Sequence, residues 1–275
     1  MSAPKADDAA RPQPKTPQPK TVKPKAAGSG RARLARDTLS RRVILDAAER
    51  VAARDGLDAF TFQSLAREVD AHPTSLYRHF RDKDQLVLEL IDDLRSRSYG
   101  GKLEPTDSWR EDLRTQARYI HEHYLRYPQF AVQMAARTTR RPTEFANVEF
   151  ALDALLRSGL GKEDAAMYLR VFGNVIRSLA SMEAGMLALE PETRDGDTLA
   201  WQLEYRRLPA EQYPRIASLE GELKDIGDPR VFDTAVDLFL DAVEARAARA
   251  RAASTGAGDN RTGDAVAEQA APQGG

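Results

Sequence analysis

Cysteine is absent from the 275 residues, which excludes disulfides, thiolate catalysis and cysteine-ligated zinc together. No apolar run approaches the roughly 18 residues of a membrane-spanning helix, so no membrane partner is expected. The first lysines are followed by no apolar h-region, so the N-terminus does not read as a secretory signal. The expected location is therefore cytoplasmic. Histidine is scarce: His72, His79, His121 and His123 are the whole set. His121 and His123 lie two apart on a predicted helix, so they point about 200° apart and cannot share a metal. No nucleophile motif, P-loop or glycine-rich dinucleotide loop occurs. No catalytic residue, cofactor or metal is expected, and the chain does not read as an enzyme. Period-2 apolar runs of β-branched residues are missing as well, which leaves an all-α fold.

What is present is a globular composition with an uneven charge. Hydrophobic residues make up 41% and charged residues 30%, with a net charge of −1. Residues 1–42 carry five Lys and six Arg against three Asp, a net of +8, so residues 43–275 carry −9. A basic arm on an acidic body means that one end of the molecule is suited to phosphate. Residues 1–30 hold no Phe, Tyr, Trp, Ile or Leu and a single Val, too little to offset ordering entropy. That arm is expected to be disordered, as is the Gly/Ala/Gln-rich stretch from about Ala252 to Gly275.

Between them the apolar residues recur at helical spacing. A first helix begins near Thr38, buries Val43, Ile44, Ala47, Ala48 and Val51, and stops at Asp55-Gly56. A short second helix spans about Thr61 to Val69, and a third runs from Pro73 to near Phe80 with His72 at its N-cap. A fourth follows Asp82, with Gln85 as capping-box partner and a stripe of Leu86, Val87, Leu90, Ile91 and Leu94. Further helices open at Ser108 (with Glu111), Pro128 and Pro142. The longest spans 162–189, and the last runs from Asp228-Pro229 to about Arg249. Residues 191–227 read as loops and short helices.

Two short helices joined by a tight turn form a unit able to present the second helix outward. Leu65, Ala66, Val69, Leu76 and Phe80 supply its apolar scaffold. Thr74, Ser75, Tyr77, Arg78 and His79 remain outside, all hydrogen-bonding groups without an acid to repel a duplex. The string from Phe62 to Leu86, FQSLAREVDAHPTSLYRHFRDKDQL, closely resembles the N-terminal domain of the tetracycline repressor (TetR) family. The specific part is Leu76-Tyr77-Arg78-His79-Phe80, then Lys83 and Leu86, behind Ser64-Leu65-Ala66-Arg67. Trp109-Arg110-Glu111, Tyr127-Pro128 and Leu155–Gly159 resemble the C-terminal domain of the tetracycline repressor's own branch. The chain departs at the turn, where Asp70-Ala71 replaces a common Gly-Val and His72 replaces a small residue. Asp tolerates the left-handed conformation, so the turn can survive.

The resemblance implies that Tyr77, His79 and Lys83 contact phosphates, while Thr74 and Ser75 face base edges. Gln63 is a further candidate, through adenine or phosphate. Two roles stand open for Arg78, reading a guanine or pairing with Asp82, and two for His72, capping the helix or reaching DNA. Arg31, Arg33, Arg36, Arg41 and Arg42 are expected to add phosphate contacts. The expected organisation is a disordered basic arm (1–36), a three-helix helix-turn-helix DNA-binding domain (37–84), a larger helical effector-binding and dimerisation domain (85–250) and a disordered tail (251–275). The apolar helices at 162–189 and 228–249 are the candidates for a homodimer bundle, which spaces two readers by about one turn of DNA, roughly 34 Å. Tyr119, His123, Met134, Phe172, Asn174, Arg177 and Trp201 are candidate lining for a small-molecule effector pocket between helices. The function so implied is a transcriptional repressor released from a palindromic operator of double-stranded DNA by a small-molecule effector. The alternative is an effector-independent or architectural DNA-binding protein.

Overall fold

In a computed structural model, residues 39–57, 59–223 and 227–268 are described, the last of these by backbone alone from residue 254. The expectations for the basic arm, including Arg31, Arg33 and Arg36, lie outside these residues. Helices account for almost all regular structure there: α1 (Arg41–Asp55), α2 (Phe62–Glu68), α3 (Pro73–Leu76), α4 (Lys83–Tyr99) and α5 (Trp109–Arg126) come first. After a 3-10 turn at Pro128–Phe130 follow α6 (Ala131–Ala136), α7 (Pro142–Arg157), α8 (Lys162–Leu187), α9 (Pro191–Glu204), α10 (Pro214–Ser218) and α11 (Arg230–Glu268).

Side-chain caps set several of these boundaries. Ser40 accepts from the Val43 N–H at 3.3 Å to open α1. Thr61 and Ser64 cap α2 reciprocally: the Ser64 N–H donates to Thr61 Oγ1 at 3.0 Å, and the Thr61 N–H to Ser64 Oγ at 2.9 Å. Such a box satisfies two of the donors a helix start leaves open. Thr61→Ala is expected to lower stability in urea by about 1 kcal/mol, as loss of an N-cap does; an unchanged midpoint would show that the cap contributes nothing. Asp82 caps α4 through the Gln85 N–H at 2.8 Å, but the Gln85 amide oxygen takes the Arg81 N–H rather than the cap's own.

Two buried clusters hold the chain together. The first joins Ile44, Val51, Phe60, Leu65, Leu76 and Phe80 to the α4 stripe of Leu86, Leu90, Ile91 and Leu94. It continues into Tyr124, Phe130, Met134 and Ala180 of the following helices, so no break in the core falls at residues 84–85. The second lies among α5, α7, α8 and α11, with Leu113, Leu155, Phe172, Ile176, Leu240 and Val243. Near its edge the carboxylate of Asp112, 1% exposed, accepts from Thr106 N and Oγ1 and pairs with Arg157.

The structure differs from the sequence reading at several points. Val43 is 40% exposed rather than buried; it stands in the first turn of α1, one turn before the buried Ala47. The α-helical part of the third helix stops at Leu76, and tighter i→i+3 bonds carry the chain on to His79. Residues 191–204 form a continuous helix across Gly196, with no residue of it buried. The last helix passes its expected end and continues to Glu268 through the alanine- and arginine-rich segment 245–253, which favours helix intrinsically. The expected tail therefore begins inside a helix, and residues 269–275 lie outside the described residues.

Candidate DNA-reading surface and effector cavity

The α2–α3 unit is held by its turn. Asp70 adopts φ 49°, the left-handed conformation that glycine usually supplies there, and the Ala71 N–H closes the turn on the Ala66 carbonyl at 2.8 Å. His72 takes the capping role: its Nδ1 accepts from the Thr74 N–H at 3.3 Å and lies 2.9 Å from the Thr74 hydroxyl. Leu76 and Phe80 are buried and fix the segment from beneath. This leaves Gln63, Thr74, Tyr77, Arg78 and Lys83 exposed, with Ser75 and His79 half-buried. The Tyr77 ring packs 4.6 Å from Phe62, which props it outward at 59% exposure.

Several of the charged groups already have partners within the protein. Asp82 pairs with Arg81 at 2.7 Å rather than with Arg78. Lys83 donates to the Leu57 carbonyl at 3.2 Å and lies 5.5 Å from the Phe60 ring centroid, so it bridges to the end of α1 before any phosphate is present. Arg41 and Arg42 belong to α1 itself and are already engaged. Arg42 pairs with Asp46 and Asp93. Arg41 binds Glu89 through Nε (2.8 Å) and Nη2, donates from Nη1 to the His79 carbonyl at 2.6 Å, and covers the Phe80 ring at 4.4 Å. Acidic residues of α4 thus hold both arginines.

Behind this surface, between α4, α5, α7 and α8, lies a cavity of about 210 Å³. Arg95, Tyr99, Gln116, Tyr124, Phe172 and Arg177 form its polar and aromatic wall. Burial pushes the phenols of Tyr99 and Tyr124 up, so both stay protonated donors at neutral pH. Gln116 donates to the Asn147 carbonyl at 2.8 Å, yet its amide oxygen is buried without a partner. The Tyr124 hydroxyl and Arg177 Nε are likewise buried and unpartnered.

Of the seven residues expected to line a pocket, Phe172 and Arg177 do. Tyr119 stands behind the wall, stacked on Tyr99 at 6.2 Å. His123 is buried beside Ser98 Oγ (2.8 Å from Nδ1) and among Tyr99, Tyr124 and Tyr127. Burial, then the positive charges of Arg95, Arg126 and Arg97, push its pKa down to about 3, so it is neutral at physiological pH. Met134 is fully buried core, and Asn174 is an exposed partner of Arg177 at 3.1 Å. Trp201 of α9 packs tilted against Tyr205, the residue after that helix ends, at 4.2 Å between ring centroids. Arg95, Tyr99, Gln116 and Tyr124 escaped the sequence reading. The signal was there: Arg95 and Gln116 are polar interruptions of the apolar faces of α4 and α5. A wider cleft of about 580 Å³ beside Glu183 and Arg230 has these charged groups already paired, with His121 and Asp228 respectively.

Cavity wall and reading surface are joined by a chain of contacts. Glu144, in the wall, accepts from Thr139 Oγ1 at 3.0 Å and the Arg140 N–H at 2.6 Å. The neighbouring Arg141, N-cap of α7, donates to Glu89 at 2.8 Å. Glu89 in turn holds Arg41, which holds the His79 carbonyl. Burial raises the Glu89 pKa, but Arg41 and Arg141 outweigh it and keep the carboxyl below its ordinary value.

A helix-turn-helix with this outward set of donors, set on a helical body, defines a DNA-binding transcriptional regulator. Residues 44–90 match the family model described as bacterial regulatory proteins, tetR family, and residues 102–247 match the tetracyclin repressor-like C-terminal domain. The chain belongs to the TetR family, whose regulators bind operator DNA, act as dimers and bind small-molecule effectors. An HTH-type transcriptional regulator of Saccharopolyspora erythraea is 28% identical over 179 residues, 65% of this chain and 74% of the relative. The HTH-type transcriptional repressor DrrR1 of Streptomyces coeruleorubidus is 25% identical over 189 residues, 66% and 69% of the two chains. Among solved structures, ActR of Streptomyces coelicolor in complex with actinorhodin aligns with a TM-score of 0.67 at 21% identity, covering 75% of this chain and 95% of that one. Apo ActR aligns at 0.65 and 22%, covering 77% and 98%. These likenesses bear out the all-α, two-part architecture. Among the described residues no helix is long and apolar enough to cross a membrane.

Proposed function

We propose that this regulator is a repressor that grips a palindromic operator as a homodimer and releases it when a small molecule enters the 210 Å³ cavity. The observation that carries the proposal is the path from Glu144 in the cavity wall, through the Arg140 backbone N–H to the next residue, Arg141, and on through Glu89 and Arg41 to the carbonyl of His79 in the reading segment. A ligand can shift the protein only toward the state it binds better. A wall linked to the reading segment through a backbone bond and the two ion pairs of Glu89 gives it a means to do so.

Thr74 and Ser75 face bases in this reading, with Gln63, Tyr77, Arg78, His79 and Lys83 on phosphates or adjacent edges. Lys83 exchanges its Leu57 carbonyl for a phosphate oxygen when DNA arrives. Homodimerisation is supported by apolar side chains left outside: Met167 and Val171 one turn apart on α8, and Val231 and Leu238 two turns apart on α11. The names of DrrR1, a repressor, and of the ActR complex with actinorhodin agree with ligand-controlled repression.

Selection of genomic DNA fragments bound by the purified protein, at a fixed salt concentration, tests the reading. One enriched palindrome is the expected outcome; binding without sequence preference would point instead to an architectural role. On the selected site, Thr74→Ala should weaken binding by about tenfold and relax preference at one position per half-site, as loss of a base contact does. Equal weakening on unrelated DNA would move Thr74 from the bases to the backbone.

A further inference from the structure

We infer that the cavity takes a small, flat aromatic acid bearing a hydroxyl group, its anionic end received by Arg95 and Arg177 and its rings lying among Tyr99, Tyr124 and Phe172. The inference rests on the reading of this cavity as the effector site and names the chemistry it selects.

The strongest sign is Arg95. Its side chain is buried, the residue being 7% exposed, and it lines the cavity. Among the described residues it has no hydrogen-bond or ion-pair partner. Asp92 supplies a counter-charge at a distance, but no group bonds the guanidinium, and a buried charge without a bonded partner is costly in a folded protein. Asp92, a turn earlier on α4, does not close on it; one Asp92 oxygen faces the Thr143 hydroxyl at 3.4 Å and the other has no partner. Glu144, the acid in the wall, is already committed to Thr139 and Arg140. Arg177 adds a second positive charge, with Nε buried and unpartnered and its remaining bond going to neutral Asn174. An anion in the cavity completes both guanidiniums, and such charge-assisted bonds are the strong ones.

The neutral groups narrow the class further. The unpartnered Tyr124 hydroxyl offers a donor, so it suits an acceptor on the ligand. The unpartnered Gln116 oxygen is an acceptor whose amide nitrogen is fixed on Asn147, so the ligand must bring a donor, which a hydroxyl supplies. Buried polar atoms in native proteins are rarely left single. Here three of them and an unpaired guanidinium surround one space. Arg170, exposed at the cavity's edge, and Asn147 add polar groups, while Ile120, Val148 and Leu169 with the aromatic rings form an apolar part that suits a flat hydrocarbon face. At 210 Å³ the space is smaller than the about 300–1,000 Å³ of sites for drug-sized ligands. A compact aromatic fits it better than an extended one.

Calorimetric titration of the full chain with 3-hydroxy-2-naphthoate and with its primary amide tests this. The acid should bind at least about tenfold more tightly than the amide to the wild-type protein, a difference of roughly 1.4 kcal/mol. In Arg95→Gln and in Arg177→Gln the preference should fall below about threefold while the amide still binds. Equal affinity for acid and amide, no binding of either, or an acid preference that survives both substitutions would each overturn the inference. A parallel titration of the operator complex separates it from the broader reading. Arginine-dependent acid binding that leaves the operator complex intact keeps the ligand class and removes the effector role. Operator release by acid and amide alike keeps the effector role and removes the ligand class.

Discussion

Glu89→Gln should bind a releasing compound normally and yet stay on its operator. In the wild-type protein Glu89 receives Arg41 from the reading domain and Arg141 from the edge of the cavity-bearing body, and it is the point where the two meet. Glutamine keeps the volume and one acceptor oxygen but removes the charge that holds two guanidiniums at once. Arg41 then keeps its carbonyl bond to His79 and its place over Phe80, so the reading segment remains supported. What is lost is the dependence of Arg41 on Arg141. Coupling between two sites is commonly worth about 5- to 150-fold in affinity. If the path carries most of it, the ratio of operator affinities without and with ligand should drop from tens to within about twofold in the variant. Fluorescence anisotropy on labelled operator reads that ratio, and reciprocity provides a check: operator should cease to weaken ligand binding by the same factor. Retention of the full ratio in Glu89→Gln would mean that the packed helices α4 and α5 transmit the signal without these ion pairs.

The helix-turn-helix was open to reading from the sequence because everything that makes it is local. Apolar residues three and four apart, a capping pair at Thr61 and Ser64, and an Asp able to stand in the left-handed region all act within 20 residues or so. His72 shows the same: its cap bond reaches only two residues on. The cavity depends on which faces meet, and periodicity gives a face without its neighbour. Met134 and Phe172 are both apolar residues on helical faces, yet one is sealed core and the other is wall. Arg95 interrupts the apolar face of α4, but only the meeting of that face with α5, α7 and α8 makes it cavity wall. Arg41 is the clearest case. By position it continues the basic arm, but Glu89, 48 residues later, takes it into the fold. Long-range ion pairs of this kind leave no periodic trace.

His123 should make the protein sensitive to mild acid. Its imidazole is buried against Ser98, Tyr99, Tyr124 and Tyr127, and the charges facing it are Arg95 and Arg97 from α4 and Arg126 from α5. Burial first, and those three guanidiniums after it, hold its pKa at about 3 in the folded state. An unfolded chain returns it to about 6.5. Between these values the unfolded state takes up a proton that the folded state refuses, so stability falls as pH drops below 6.5 and the loss is complete near 3. The slope is about 1.4 kcal/mol per pH unit, which gives roughly 2 kcal/mol between pH 7 and pH 5. Carboxylates held below their ordinary range, such as Glu89, lose their contribution only at lower pH, and Asp92, raised by burial, gains rather than loses stability on protonation, so a loss between 6.5 and 5 is assigned to the histidine. Urea unfolding at pH 7 and pH 5, at one protein concentration because a dimer's stability depends on it, should reveal the drop. His123→Gln can keep a hydrogen bond to Ser98 and cannot be protonated, so its two midpoints should nearly coincide. The same acid loss in the variant would assign the sensitivity to another group. A wild-type protein equally stable at both values would mean that water reaches the imidazole and that Arg95 beside it is less enclosed than its burial implies.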